Sequence, residues 1–228
     1  MKATNSLKVK SVLAIFLVAA QLVIVSADAL AAPAMDTAPA LPEGIGFIGQ
    51  LSQDDVTYFQ NGLQLLHERL PEWYEYVMES RPFTLTFDPA MDGLGRAAVS
   101  ACCDAQGYGL VTVGQHFGQL TIPDDPDSET VKARQVTFLG LIVHELTHVR
   151  DQRAGRFTTK TDRKSCVAAE SSGLTKQLDV KRDLAAQLAS DPTSDQSLTR
   201  WLYRQVETEA SDLHSRELWD LYCGAFEN

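Results

Sequence analysis

His144, Glu145 and His148 stand in the run His144-Glu145-Leu146-Thr147-His148. On a helix, residues four apart share a face one turn from each other, so two imidazoles at this spacing can grip one zinc ion. The glutamate between them is placed to take a proton from a water bound at the ion's remaining position. This is the chemistry of a zinc hydrolase. The preceding Leu139, Leu141, Ile142 and Val143 make the helix strongly apolar, and therefore buried. Ionisable groups buried without partners are costly, and a metal would supply the partner. The competing explanation is a pair of core histidines hydrogen-bonded to backbone or carboxylate.

A hydrolytic zinc site takes three protein ligands and leaves the fourth position to water. A third histidine six residues after His148 is absent: Ala154 stands there, and Asp151 occupies the place of the usual glycine. The other candidates lie in Val206-Glu207-Thr208-Glu209-Ala210-Ser211-Asp212. Helical spacing puts Glu207, Ala210, Ser211 and His214 on one face, and the two small residues would let this helix approach the metal helix closely. Glu207 is the expected third ligand. Glu209, about 200° around the helix, is the alternative. Both would otherwise be solvated surface charges. His67, in a helical run beside Glu68, reads as a surface residue, and His116 falls in a Gly-rich turn.

The elements that must position these groups are legible in the hydrophobic pattern. From Ser52, apolar residues Val56, Phe59, Leu63, Leu66 and Leu70 recur three or four apart, and Pro71 interrupts or restarts the helix. Phe83 to Phe87 alternates as a strand. Ala98 to Cys103, Tyr108 to Val113 and Gln119 to Ile122 read as three more short strands, the last a possible edge for an extended peptide. A long helix from about Ser128 to Ala154 carries the histidines and stops at Gly155. A further helix from about Cys166 to Ala189 turns Leu174, Leu178, Leu184 and Leu188 inward, and a final one ends near Cys223. The expected class is α+β: a small antiparallel or mixed sheet, the metal helix, and two further helices.

Lys2, Lys8 and Lys10 precede an apolar run from Val12 to Val25, followed by small residues. Residues 1–31 therefore read as a signal peptide, 32–46 as a flexible leader and 47–228 as the folded domain. No second stretch is apolar enough to span a bilayer. Removing Lys2, Lys8, Lys10 and Asp28 from 20 basic and 30 acidic residues leaves 17 and 29, a net charge of −12. That argues against nucleic acid or an anionic membrane surface as a partner. Four cysteines in a chain bound for a secreted or periplasmic location imply two disulfides. Adjacent residues on a strand point to opposite faces, so Cys102 and Cys103 are each expected to bond a different partner, one Cys166 and one Cys223.

The helix motif HELTH, followed about sixty residues later by E-T-E-A-S-D on another helix, resembles the gluzincin metallopeptidases. It is most similar to the soluble zinc core of the CAAX-type endopeptidase family, whose second motif is a glutamate followed at three and four residues by Ala and Asp. The likeness covers the two motifs and their order. Here Ser211 replaces the aspartate, which moves to Asp212. The membrane helices of that family are absent, so small exported zincin-like proteins are the closer general likeness. The resemblance implies a zincin-like fold with Zn²⁺ held by His144, His148 and Glu207, and Glu145 as general base for peptide or protein hydrolysis. It also implies an electrophile, for which His214 and Tyr203 are candidates, and carboxylates such as Asp151 and Asp212 orienting the histidines. The alternative is a non-catalytic envelope chaperone or binding protein that keeps the fold around a structural zinc.

Overall fold

The computed structural model describes residues 41–49, 53–88, 98–114, 129–157, 162–192 and 196–226. These contain strand β1 (Ile45–Phe47), helices α1 (Gln53–Arg69) and α2 (Pro71–Glu79), and strands β2 (Phe83–Asp88), β3 (Ala98–Ala101) and β4 (Gly109–Gly114). Helices α3 (Glu129–Arg153), α4 (Arg163–Ser190), α5 (Gln196–Asp212) and α6 (Arg216–Cys223) follow, with a closing 3₁₀ turn at Gly224–Phe226. The expected signal peptide, the strand at 119–122 and His116 lie outside the described residues. Among the described residues, no helix is long and apolar enough to cross a membrane.

The sheet is mixed, in the order β1-β2-β4-β3. β1 runs parallel to β2, with Ile45 opposite Phe83, and β2 runs parallel to β4, with Leu85 opposite Val111. β3 alone is antiparallel, pairing Ser100 with Val111 at the sheet's edge. The period-two pattern of β2 and β4 explains their placement: Phe83, Leu85, Val111 and Val113 are fully buried, while Thr84 and Thr112 are only partly covered. The sheet also takes in Ile45 and Gly46, which the sequence had assigned to the leader. A three-residue strand is too short to show alternation, and it is its pairing with β2 that orders it.

Apolar residues of α1 and α3 complete the core. Phe59 and Phe138 meet edge-on at 6.4 Å between ring centroids, and Phe138 also stacks on Phe87. Pro71 sits at the first turn of α2, where a missing N–H costs nothing, so the chain restarts rather than kinks. α3 stops as expected: Gly155 has φ +72°, and its N–H donates to the Gln152 carbonyl. α4 begins earlier than the apolar pattern implied, because Asp162 and Ser165 form a reciprocal capping box. The expected single final helix is two, α5 and α6. Ser215 starts the second by accepting a hydrogen bond from the Leu218 N–H at 3.1 Å.

The end of α3 is fastened to the start of β2 by one guanidinium. Arg153 Nη1 donates to the carbonyls of Ser80 at 2.5 Å and Arg81 at 3.2 Å, and Nη2 donates to those of Pro82 and Gly107. Burial holds the Arg153 pKa below its ordinary range. Close by, Gly109 lets β4 pass α3, since a Cβ there would stand 2.5 Å from Val149. Hydrogen bonds from a charged donor contribute about 1.5–3 kcal/mol. Arg153→Met is therefore expected to destabilise the protein by about that amount in urea unfolding, with Arg153→Lys intermediate. A variant as stable as the wild type would show that these bonds do not hold α3 to the sheet.

Candidate metal centre

Three ligand atoms converge where α3 packs on α4. His144 Nε2 lies 3.0 Å from His148 Nε2 and 3.2 Å from Glu170 Oε2, and His148 Nε2 lies 3.5 Å from the same carboxylate oxygen. His144, His148 and Glu170 are all buried, and they form a group suited to holding a metal ion. For bonds of about 2.0–2.1 Å in a tetrahedral arrangement, neighbouring donor atoms stand about 3.3 Å apart. The observed spacings bracket that value. Two imidazole nitrogens and a carboxylate oxygen are all acceptors when the rings are neutral and protonated at Nδ1. Their convergence is the chemistry of a divalent cation site, so the donor set fits a metal of the zinc class.

The third donor corrects the sequence expectation. Glu207 is exposed on α5 and does not reach the histidines. Glu209 is turned to α4, where it accepts hydrogen bonds from Lys181 Nζ at 2.5 Å and Gln177 Nε2 at 3.3 Å. Lys181 is itself buried, so this pair joins α4 to α5. The signal for Glu170 was present but unread. It lies four residues before Leu174, in the stripe that also buries Cys166, Ala169 and Leu178. A carboxylate inside a helix's apolar stripe needs a partner, as the histidines of α3 do.

The orientation of His144 comes from a glycine. A Cβ at Gly173 would stand 2.8 Å from both Cδ2 and Nε2 of His144 and 3.0 Å from Cγ. The ring lies directly on the α4 backbone, which no larger residue would permit. Its Nδ1, by contrast, is buried and has no hydrogen-bond partner among the described residues. Asp151, expected to orient a histidine, is therefore not bonded to His144 Nδ1. Asp151, 2% exposed, accepts from Ser172 Oγ at 2.9 Å and from the Arg156 guanidinium, tying α3 to α4 one turn beyond His148. Asp212 is exposed at the end of α5.

Thr147, inside the motif, fixes the opposite side of α3. Its hydroxyl donates to the Val143 carbonyl at 2.7 Å, so the Tyr76 hydroxyl must be the donor in the 2.8 Å contact between them. Arg150 lies over the Tyr76 ring at 4.2 Å. Burial pushes the Tyr76 phenol up, against the lowering effects of Thr147 and Arg150.

Glu145 is 4% exposed, so the proposed base is sheltered beside the cluster. The two expected electrophiles lie at the surface. Tyr203 is 41% exposed on α5, and His214 is exposed in the turn before α6. Burial raises the pKa of Tyr222, on α6, and the charges of Glu170, Glu145 and Glu209 raise it further. His67 is exposed on α1 against Tyr74, as a surface residue should be.

The cysteine pairing also differs from expectation. Cys166 bonds Cys223, with S–S 2.01 Å, and Cys102 bonds Cys103. β3 ends at Ala101, so the alternation that would point Cys102 and Cys103 apart does not extend to them.

No protein-family model, curated protein or solved structure matches this chain.

Glu170→Gln should lower zinc affinity by at least tenfold, and Gly173→Ala by roughly 10- to 100-fold through displacement of His144. Glu207→Gln should bind zinc as the wild type does. Titration against a chromophoric chelator checks all three, and a loss confined to Glu207→Gln would return the third ligand to α5.

Proposed function

We propose that the protein is an exported zinc-dependent peptidase of the gluzincin kind, with Glu170 as the carboxylate ligand. The observation that carries this reading is the convergence of His144 Nε2, His148 Nε2 and Glu170 Oε2 within 3.0–3.5 Å, with Glu145 buried on the same helix. A purely structural site has no use for an acid between its ligands, and structural zinc sites are closed by four protein donors. Among the described residues the cluster has three. Glu209 is engaged by Lys181 and His214 is exposed, so neither supplies a fourth. Two disulfides agree with an oxidising, extracytoplasmic location.

When bound, the ion supplies Lewis-acid polarisation and makes a water more acidic. Glu145 then accepts the proton of the water that attacks the peptide carbonyl, and returns it to the amine nitrogen as the C–N bond breaks. The carboxylate is regenerated in each cycle. β3, the antiparallel edge of the sheet, runs beside α3: the Cys102 N–H donates to Gln152 Oε1 at 2.8 Å. An edge strand so placed offers backbone groups to an extended chain.

Zinc-loaded protein should hydrolyse unstructured polypeptides and lose that activity to a chelator. Glu145→Gln should retain zinc and lose about 10²–10⁴-fold in kcat. Undiminished cleavage by Glu145→Gln would exclude the mechanism, and zinc binding without any cleavage would favour a non-catalytic binding protein.

A further inference from the structure

The two disulfides differ in what they can do for the fold. Cys166 and Cys223 are 1% and 0% exposed and stand 57 residues apart, so their bond closes a long loop and restricts the unfolded chain. Cys102 and Cys103 are neighbours in the chain. Their bond closes the shortest loop a disulfide can close, and restricts the unfolded chain least.

The turn between β3 and β4 that carries this second bond is braced without it. Asp104 Oδ1 accepts from the backbone N–H groups of Gln106 at 2.9 Å and Tyr108 at 2.8 Å. The Asp104 N–H donates to the Tyr108 carbonyl at 2.9 Å, and the Gly107 N–H to the Asp104 carbonyl at 3.0 Å. Two more bonds fasten the turn to α3: the Cys102 N–H donates to Gln152 Oε1 at 2.8 Å, and Arg153 Nη2 to the Gly107 carbonyl at 3.2 Å. None of these contacts passes through sulfur. The two cysteines are also placed unequally. Cys102 packs against the core, whereas Cys103 and the four residues after it are exposed. Exchange needs a thiolate to reach a disulfide sulfur, and the buried Cys166–Cys223 bond denies that approach.

We propose that Cys102–Cys103 is a thiol–disulfide exchange site whose substrate is a dithiol. A thiolate of the dithiol attacks the Cys103 sulfur, the Cys102–Cys103 bond breaks, and Cys102 leaves as a thiolate that takes up a proton. The second thiol of the reductant, as its thiolate, attacks the reductant's own sulfur in the mixed disulfide. Cys103 leaves in turn and is protonated. Two electrons and two protons pass to the protein, and the dithiol becomes a disulfide. A disulfide oxidant reverses the sequence. The bracing bonds of the turn persist in both states, so opening and closing the pair leaves β3, β4 and α3 in place. This activity does not depend on the peptidase reading.

Three measurements test this. The full chain, purified without reductant, is treated with graded dithiothreitol, quenched with N-ethylmaleimide and mapped by peptide mass spectrometry. Cys102 and Cys103 are expected to label together at a dithiothreitol concentration roughly tenfold or more below that which labels Cys166 or Cys223, and oxidised glutathione should restore the unlabelled pair. Simultaneous labelling of all four cysteines, earlier labelling of Cys166 and Cys223, or labelling of Cys102 and Cys103 before any reductant is added overturns the proposal. The attacked sulfur is checked with single variants. Cys102→Ser, which leaves the Cys103 thiol, should be alkylated by iodoacetamide roughly tenfold faster than Cys103→Ser, and equal rates would overturn the choice of Cys103. In urea unfolding, Cys102→Ser/Cys103→Ser should keep the wild-type midpoint, while Cys166→Ser/Cys223→Ser should unfold at lower urea. A midpoint lowered equally in both would make Cys102–Cys103 a bond of the fold and overturn its assignment to exchange.

Discussion

Desolvation is the constraint around which this structure is arranged. α3 places His144, Glu145, His148 and Asp151 in the interior, each 5% exposed or less, on a helix whose other faces are covered by the sheet and by α1. α4 adds Glu170 from the opposite side, 8% exposed. The effective cost of burying an ionised group is several kcal/mol, and each such group must be answered locally. Asp151 is answered by Ser172 and Arg156. The two histidines and Glu170 meet one another at distances that suit an ion between them. A cation held there would become part of the fold's energetics.

The remaining polar contacts are understandable as ties that fix helix register around the cluster. A shift of α4 along α3 by one residue would separate Glu170 from the histidines. Gly173 permits the close approach, because His144 occupies the space of its missing side chain. Ser172–Asp151 locks the register next to that contact, and Lys181–Glu209 repeats the device further along, between α4 and α5. On the other side of α3, Tyr76–Thr147 and the Arg153 carbonyl contacts anchor it to α2 and β2. Such side-chain bonds are directional where apolar packing is not, which is how a site gains positional definition beyond what a core supplies.

The histidine pair, the strands β2 and β4 and the stop at Gly155 were legible because each rests on a local rule: four-residue helical spacing, period-two alternation, and the left-handed conformation open to glycine. Glu170 was not reached by that route. The motif-like run at Glu207 drew the third ligand to α5, but a motif states spacing along one helix and says nothing of which helix lies beside α3. The helix next in sequence packs there, and only a charged residue among Ala169, Gly173 and Leu174 marked it. The cysteine pairing failed for a related reason. Side-chain alternation was extended two residues past the end of β3, where the strand geometry no longer holds. The division of the final helix at Ser215 turned on a cap that competes with helix continuation, and both outcomes suit the same residues.

Charge counting ties the ligand set to the kind of ion it suits. With both imidazoles neutral, Glu170 contributes one negative charge, and Glu145, as the carboxylate a general base must be, contributes another. In a nearly dry site two such charges repel. A divalent ion balances both charges, whereas a monovalent one leaves an excess. Two nitrogen donors and one oxygen donor favour the borderline metals over calcium or magnesium, which prefer oxygen throughout. The balance also ranks the carboxylates. Glu170 lies within 3.5 Å of both rings, which suits it to a ligand's place, and under the proposed mechanism Glu145, adjacent to His144 in the chain, is the carboxylate left to carry the proton.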